Sequence, residues 1–264
     1  MYIYFRRFVR FVLSLINLGL VRESDLVSLR DEKTEFDNLR NKLEFYLETI
    51  FENESYKSNL NLGDLMKYSK SENGQDLFAL IGSNFSRDKI FVEIGAYNGI
   101  TFSNTYLLEK KFLWTGLLVE CIPRNFSSIK LSRECDAVLG AATNKDVERI
   151  TVIEQPASNL SGLMNAVSEN KWKTLSYQVP GYCLDSLLMM ASPKGEIGFL
   201  SVDVEGAEYS IFEDANLSKY NISAICIEHN FRPEAEKLRK LITSQGYRTV
   251  FEEFSGNDFW FLKV

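Results

Sequence analysis

The chain has 264 residues, of which 45% are hydrophobic and 25% charged. This is the composition of a globular protein and the length of one α/β domain with an extension. The formal net charge of −6 argues against non-specific binding to nucleic acid, because a surface that follows phosphates needs an excess of Lys and Arg. The four cysteines form no closely spaced pair, which disfavours a zinc site and favours reduced thiols in a cytoplasmic protein.

The first 21 residues combine basic and aromatic side chains with an apolar stretch. Arg6, Arg7 and Arg10 are interleaved with Tyr and Phe, and residues 11–21 carry no charge. This stretch is too short to span a bilayer, which takes about 20 residues. The pattern is typical either of a helix on the inner face of an anionic membrane or of a helix packed on the protein's own core. No small-x-small cleavage site follows, which disfavours a signal peptide.

Residues 24–57 predict a helix with an apolar seam. The spacing of its hydrophobic residues is typical of a short coiled coil, which would make a homodimer, or of a helix laid against the next domain. Residues 53–64 are polar and form the candidate linker. We therefore expect a helical extension over residues 1–64 and a catalytic or binding domain over residues 71–264. The seam residues are Leu29, Phe36, Leu39, Leu43, Tyr46 and Ile50.

Residues 89–100, KIFVEIGAYNGI, predict a buried strand that ends in a glycine turn. Glu93 falls near the carboxyl end of this strand, where ligands bind in open parallel α/β sheets. Gly95 allows the backbone to approach a ligand closely. Tyr97 stands where a dinucleotide-binding fingerprint needs its second glycine, and the pattern is instead Glu-x-Gly-x-x-x-Gly, ending at Gly99.

A second predicted strand, residues 114–120, also ends in an acid. Glu120 follows Glu93 by 27 residues, a little more than the roughly 20 residues typical of the acid that holds ribose hydroxyls. A carboxylate suits that role because its two oxygens accept from both hydroxyls of a diol. A solvated strand end is the alternative.

The segments around these strands predict the rest of the sheet. Residues 102–110 predict a helix whose first amides would receive a ligand carboxylate. Residues 137–142 and 149–154 predict strands, residues 157–165 a polar loop, and residues 247–264 a closing hairpin.

A cluster of acids follows the strand predicted at residues 199–202. Asp203, Glu205 and Glu208 lie within six residues and repel one another. Folding alone does not favour such a cluster, so it indicates a site that binds hydrogen-bond donors or cations, with a solvated turn as the alternative.

His229, the only histidine in the chain, directly follows the strand predicted at residues 224–228. An imidazole at the edge of the sheet that also carries Asp203 could accept a proton from a hydroxyl. A structural histidine is the alternative.

Seven sequence blocks together resemble the FkbM-type family of S-adenosylmethionine-dependent methyltransferases, over residues 71–264. They are SENGQD, FVEIGAYNGITFSNT, GLLVE, LSGL, LDSLL, LSVDVEGAEYSIF and ICIEHN. The resemblance implies a doubly wound, Rossmann-like α/β fold with a seven-stranded sheet and a C-terminal antiparallel hairpin. It also implies O-methylation of a hydroxyl, frequently on a sugar of a glycan, glycolipid or secondary metabolite.

The resemblance also implies a set of cofactor-binding residues. Glu120 would hold the ribose diol, and Asp203 would face the amino or sulfonium end of the cofactor. Glu93 stands where Asp is common in the family, which lengthens its reach by one methylene. The implied residues are Gln75, Asp76, Glu93, Gly95, Ala96, Gly99, Glu120 and Asp203.

The cofactor's sulfonium already makes its methyl group electrophilic, so the protein has to align the acceptor oxygen and remove its proton. We predict His229 as the base, with Asp203 or Glu205 orienting it or the acceptor. No metal is expected. The alternative is a divalent cation held by Asp203, Glu205 and Glu228, because carboxylate oxygens suit hard ions.

Two other classes of function fit parts of the sequence. A non-catalytic scaffold would bind the cofactor and transfer no methyl group. A nucleotide-sugar or nicotinamide enzyme would need the glycine that Tyr97 replaces. We expect a small-molecule or glycan acceptor, no nucleic acid, and membrane contact only through residues 1–21.

Overall fold

The computed structural model describes residues 40–53, 56, 59–155, 160–163 and 175–264. The predictions for residues 1–21, and for the first part of the apolar seam, lie outside these residues. Among the residues described, none of the helices combines the length and hydrophobicity that a membrane span requires.

The described part of the chain alternates helices and strands. The strands are β1 (Ile90–Ile94), β2 (Thr115–Glu120), β3 (Asp136–Leu139), β4 (Ala141–Thr143), β5 (Val147–Gln155), β6 (Leu160–Leu163), β7 (Leu175–Cys183), β8 (Glu196–Val202), β9 (Asn221–Glu228), β10 (Tyr247–Thr249) and β11 (Asp258–Lys263). The α-helices are α1 (Leu62–Tyr68), α2 (Gln75–Gly82), α3 (Tyr106–Phe112), α4 (Pro123–Ser132), α5 (Leu184–Ala191), α6 (Glu208–Phe212) and α7 (Ala235–Thr243). Residues 40–51 are also helical and end in a π-helical turn, Tyr46–Phe51.

The main sheet has seven strands in the order β10-β11-β9-β8-β1-β2-β3. Its neighbours run parallel except where β11 pairs antiparallel with β9 and β10. The chain builds outward from β1 to β3 and then returns to β8 on the other side of β1, so the strand order reverses between β1 and β8. The predicted doubly wound sheet with a closing antiparallel hairpin is confirmed.

Both faces of the main sheet are buried, which explains why its central strands are apolar at nearly every position. Along β1, Phe91 packs into one hydrophobic layer, while Val92 and Ile94 pack into the other. The first layer contains residues of α2, α3 and α4, and the second contains residues of α5, α6 and α7. The sheet therefore forms a rigid base for the loops at its edges.

A second sheet, with the order β4-β7-β5-β6, is absent from the sequence-based prediction. The single strand predicted at residues 137–142 is wrong, because it breaks at Gly140 into β3 and β4, which belong to different sheets. A Cβ at Gly140 would lie 2.6 Å from the ring of Tyr182, so the close packing of that ring on the break favours glycine. The predicted loop at residues 157–165 is also wrong in part, since it contains β6.

The helical segment over residues 40–51 packs into the core of the domain. Phe45 and Ile50 are both 0% exposed. The ring of Phe45 lies 5.2 Å from the ring of Phe251 and 5.3 Å from that of Trp260, beside the C-terminal hairpin. Burying each such side chain contributes about 2 kcal/mol to stability. These residues therefore follow the second of the two expectations, a helix laid against the domain.

Candidate active site

A cavity of about 260 Å³ opens at the carboxyl ends of β1, β2, β8 and β9. It lies where the strand order reverses, which is the place where ligands bind in open α/β sheets. The loop after β1 forms the longest stretch of its wall. The charged and polar side chains that line it are Glu72, Glu93, Thr101, Ser103, Asn104, Glu120, Ser201, Asp203, Glu205 and Glu228.

Gly95 brings two walls of the cavity into contact. Its φ is +89°, and a Cβ at this position would lie 1.7 Å from the backbone oxygen of Asp203. The amide of Asp203 in turn donates to the Ile94 carbonyl at 2.9 Å. Only glycine fits a backbone approach this close, so Gly95 joins the loop after β1 to the loop after β8.

Glu93 lies in the wall of the cavity with both carboxylate oxygens already bonded. Its Oε1 accepts from the amide of Asn104 at 2.7 Å, and its Oε2 accepts from the hydroxyls of Ser103, at 3.0 Å, and of Thr105. Burial raises the pKa of Glu93, while the charge of Arg133 and these donors oppose that rise. Glu93 therefore holds the loop after β1 in place.

These contacts correct the prediction for the helix that follows. The helix does not begin at residue 102: residues 102–105 form a loop, and α3 begins at Tyr106. The amide of Asn104, expected to receive a ligand carboxylate, donates to Glu93 instead. The protein's own carboxylate thus occupies that place.

Glu120 reaches the cavity from the end of β2. It is 4% exposed, and its Oε1 accepts from the amide of Ile122 at 2.7 Å. Burial raises the pKa of Glu120 to about 7, although nearby backbone and side-chain donors oppose the rise. Hydroxyl donors from a ligand would stabilise its charged form.

Asp203, Glu205 and Glu228 bring three carboxyl groups to one side of the cavity. Burial and the charge of Glu228 raise the pKa of Asp203 well above its usual range. A proton held by one of the two carboxyl groups would relieve their repulsion. Burial and the charge of Asp203 raise the pKa of Glu205 to about 7. This side of the cavity therefore binds protons readily.

The loop after β8 is strained around Glu205. Glu205 has φ +56°, a left-handed conformation that is uncommon for a residue with a side chain. The guanidinium of Arg232 lies 3.7 Å from its carboxylate. A Cβ on Gly206 would lie 2.5 Å from the same guanidinium, which would have to shift, and the φ of +111° at this position itself favours glycine.

Three carboxylates have the geometry of a cation site. Asp203, Glu208 and Glu228 each place one oxygen within 4.8 Å of the others. The set named from the sequence had Glu205 in place of Glu208. Glu208 Oε1 also accepts from the amides of Val204 and Gly206, at 3.2 and 3.0 Å. Oxygen ligands at this spacing suit Mg²⁺ or Ca²⁺.

Gln75, Asp76 and Gly99 are not among the described residues that line the main cavity. Gln75 lines a small adjoining pocket and donates to Asp258 at 2.6 Å. Asp76 is 0% exposed and accepts from Ser71 Oγ at 2.7 Å. The proposed cofactor contacts of these three residues stay predictions.

His229 also lies apart from the described lining of the cavity. It lines a separate small pocket, in which Glu228 takes part as well. Its Nδ1 accepts from the amide of Phe231 at 3.0 Å, and its ring lies 4.1 Å from the ring of Phe259. Burial lowers the pKa of His229, which favours the neutral imidazole. Its role as a base stays a prediction.

The side chains of Asn104 and Ser201 line the cavity, and sequence reasoning named neither side chain, although it offered the amide of Asn104 to a ligand. Asn104 Nδ2 donates to Ser201 Oγ at 2.9 Å. In the part of the chain that the structure describes, no donor reaches the buried Oδ1 of Asn104 or the buried Oε2 of Glu228. Asn104 lies in the block FVEIGAYNGITFSNT and Ser201 in the block LSVDVEGAEYSIF, so both were already inside the quoted motifs.

Comparisons with known proteins identify the family. The chain resembles the FkbM methyltransferase of Methylobacillus flagellatus, with 12% identity and a TM-score of 0.43 over 87% of this chain and 54% of that one. It also resembles a TehB-like S-adenosylmethionine-dependent methyltransferase of Corynebacterium glutamicum, with 10% identity and a TM-score of 0.38 over 76% and 94% of the two chains.

The structural likeness carries no argument about function, and the family rests on sequence. No curated protein matches the chain. The family model described as the methyltransferase FkbM domain matches residues 93–249, which is more than half of the chain. The chain therefore belongs to the family of methyltransferase FkbM domains.

Proposed function

We propose that the protein transfers a methyl group from S-adenosylmethionine to a hydroxyl of a sugar, in a glycan, a glycolipid or a secondary metabolite. Membership of the family supports methyl transfer. One observation supports S-adenosylmethionine as the cofactor: Glu120, the loop after β1 and Asp203 all line one cavity, at the point where the strand order reverses.

The chemistry of the lining fits this cofactor. Glu120 lies at the end of β2, where its carboxylate would accept from both ribose hydroxyls. Asp203 and Glu205 would face the cationic sulfonium and ammonium groups, whose charge compensates the repulsion between these acids. When bound, the sulfonium supplies an activated methyl group.

The same lining also suits an acceptor that donates hydrogen bonds. The unpartnered Asn104 Oδ1 and Glu228 Oε2 require donors, which the hydroxyls of a sugar would supply. Phe102, 52% exposed at the cavity, offers an apolar surface to a sugar ring. The proton of the reacting hydroxyl would pass to Glu205 or to the Asp203–Glu228 pair, because a base with a pKa near 7 works best at neutral pH. His229 is the alternative base.

Calorimetric titration with S-adenosylhomocysteine tests the cofactor. We expect binding to the wild type, and affinity at least about tenfold weaker in Glu120→Gln and Asp203→Asn, since each loses a charged hydrogen bond. Glu236→Gln is the matched control, because Glu236 pairs with Arg239 on the surface. A folded wild type that does not bind would contradict the proposal.

The geometry of Asp203, Glu208 and Glu228 favours one alternative for the proton step. These residues would hold a divalent cation, which supplies Lewis acidity near the acceptor hydroxyl. Activity lost with EDTA and restored with Mg²⁺ would support this alternative. Full activity in EDTA would leave the carboxylates or His229 as the base.

A further inference from the structure

Arg133 is a buried arginine that follows α4 and binds the loop after β1. Its side chain is 0% exposed, and it is not among the described residues that line the cavity. Its Nη1 donates to the Gly99 carbonyl at 2.9 Å and to Ser103 Oγ at 3.1 Å. Its Nη2 donates to Thr105 Oγ1 at 3.0 Å. One side chain thus holds the loop at three points.

Two hydroxyls connect Arg133 to Glu93. Ser103 and Thr105 each accept from Arg133 and each donate to Glu93 Oε2. A hydroxyl has a single proton, so both hydroxyls are directed from the guanidinium toward the carboxylate. Arg133 therefore orients Glu93, although its Nη1 lies 4.0 Å from Oε2.

The rest of the guanidinium is fixed by groups outside the loop. Its Nε donates to Glu109 at 2.8 Å, and the rings of Phe91 and Tyr106 lie 5.6 Å from Cζ. Burial alone would raise the pKa of Glu109, but the charge of Arg133 and donors around it lower that pKa to about 2. The anchor is therefore an ion pair at neutral pH.

The loop needs such an anchor because it is strained. Tyr97 and Phe102 have φ of +48° and +60°, and both line the cavity. Bulky residues keep this left-handed conformation only where the surrounding structure holds them in it. A loop released from Arg133 would relax at these residues, and the wall of the cavity would move.

We propose that Arg133 is a positioning residue, which holds the loop after β1 in the conformation that binds S-adenosylmethionine. This inference rests on the proposed function, because its ligand is the cofactor named there. A purely structural arginine would change stability and leave the affinity of the folded protein unaltered. Positioning predicts weaker binding in protein that is still folded.

Three variants separate positioning from stability. Arg133→Gln removes the guanidinium. Thr105→Val removes one hydroxyl, since Val has nearly the size and shape of Thr. Glu109→Gln is the matched control: it perturbs the same buried group but leaves every contact from Arg133 to the loop. The measurements are the affinity for S-adenosylhomocysteine, the thermal midpoint, and hydrogen exchange of amides 97–105 in the ligand-free protein.

We expect affinity to fall at least about tenfold in Arg133→Gln, which loses three hydrogen bonds to the loop, and about fivefold in Thr105→Val, which loses the two of Thr105 Oγ1. Amides 97–105 should exchange faster in both, while those of β8 and β9 do not. Glu109→Gln should lower the thermal midpoint and keep wild-type affinity. Arg133→Lys keeps the positive charge. If its affinity is closer to that of the wild type than to that of Arg133→Gln, the charge of Arg133 is what holds the loop.

Wild-type affinity and unchanged exchange of the loop in folded Arg133→Gln would overturn the proposal. If that variant does not fold, the same result in Thr105→Val would overturn it. A wild type that binds no S-adenosylhomocysteine would instead contradict the proposed function. Exchange of the loop needs no ligand, so in that case it still tests whether Arg133 holds the loop.

Discussion

Glu93 and Asp203 line the same cavity but differ in the neighbours that the fold gives them. Glu93 receives three hydrogen bonds from the loop after β1, with Arg133 behind them. Asp203 faces other acids, chiefly Glu228, and its pKa is raised by burial and by their charge. Donors from the protein let Glu93 stabilise the loop, whereas under the proposed function the donors for Asp203 come from the ligand, at a cost in stability.

The largest expected effect comes from breaking the contact between the two loops that carry these acids. Gly95→Ala would put a Cβ 1.7 Å from the Asp203 oxygen, so we expect a loss of about 4 kcal/mol in stability and no cofactor binding. Gly246→Ala is the matched control, since Gly246 has a similar φ of +90° and no described atom within 4 Å of the added Cβ. It should cost only about 1 kcal/mol. Equal losses in denaturant unfolding would show that backbone strain alone matters at Gly95.

Glu93→Gln tests whether the hydrogen bonds that Glu93 accepts stabilise the protein. An amide group in place of Oε2 cannot accept from both hydroxyls, and it leaves Arg133 with one carboxylate fewer nearby. We expect the free energy of unfolding to fall by about 2 kcal/mol. Denaturant unfolding of the variant measures this directly. An unchanged midpoint would mean that the hydrogen bonds to Glu93 do not hold the loop.

The features that could be predicted from the sequence are those that depend on residues adjacent along the chain. Glu93, Glu120 and Asp203 all line the cavity, and sequence could place them at strand ends because the end of a buried strand can be recognised from adjacent residues. Their contacts with a cofactor stay predictions. His229 was predicted as a base at the same edge of the sheet as Asp203; it lines a separate pocket with Glu228, and its role stays a prediction. Asn230 and Phe231, with φ of +42° and +51°, follow it in a turn of uncommon conformation. No pattern in the sequence indicates that turn.

Contacts between distant residues account for most of the rest. The second sheet depends on pairing of β5 with β7 across residues 156–174, which no periodicity within either strand predicts. The proposed role of Arg133 depends on contact between the end of α4 and a loop far earlier in the chain. Gly99, for example, lies 34 positions before Arg133. The hydrogen bonds that Glu93 accepts from the loop could not be predicted either, because they depend on the folded shape of that loop.

A smaller effect is expected in the pH dependence of stability without ligand. The pKa of Glu120 is about 7 in the folded protein, against about 4.3 for an unfolded Glu. The folded state therefore binds a proton that the unfolded state releases, and stability falls as pH rises through about 4 to 7. From pH 8 to pH 6 we expect Glu120 to contribute about 1 kcal/mol of added stability, beside a similar contribution from Glu205, whose pKa is also raised to about 7. Glu120→Gln should remove only the contribution of Glu120. If Glu120→Gln leaves the dependence of the unfolding free energy on pH unchanged, a group other than Glu120 binds the proton.

The most direct test of the central claim is the unfolding free energy of Asp203→Asn at pH 8, with and without S-adenosylhomocysteine. Without ligand, the variant should be as stable as the wild type or more stable by about 1 kcal/mol, because on folding the Asp203 carboxyl must either take up a proton or keep its charge beside Glu228, and Asn does neither. With ligand at about 100 times the wild-type Kd, the wild type should gain about 2.7 kcal/mol and the variant much less. A ligand-free variant less stable than the wild type, with an undiminished gain from ligand, would contradict the claim that Asp203 serves binding at the expense of stability.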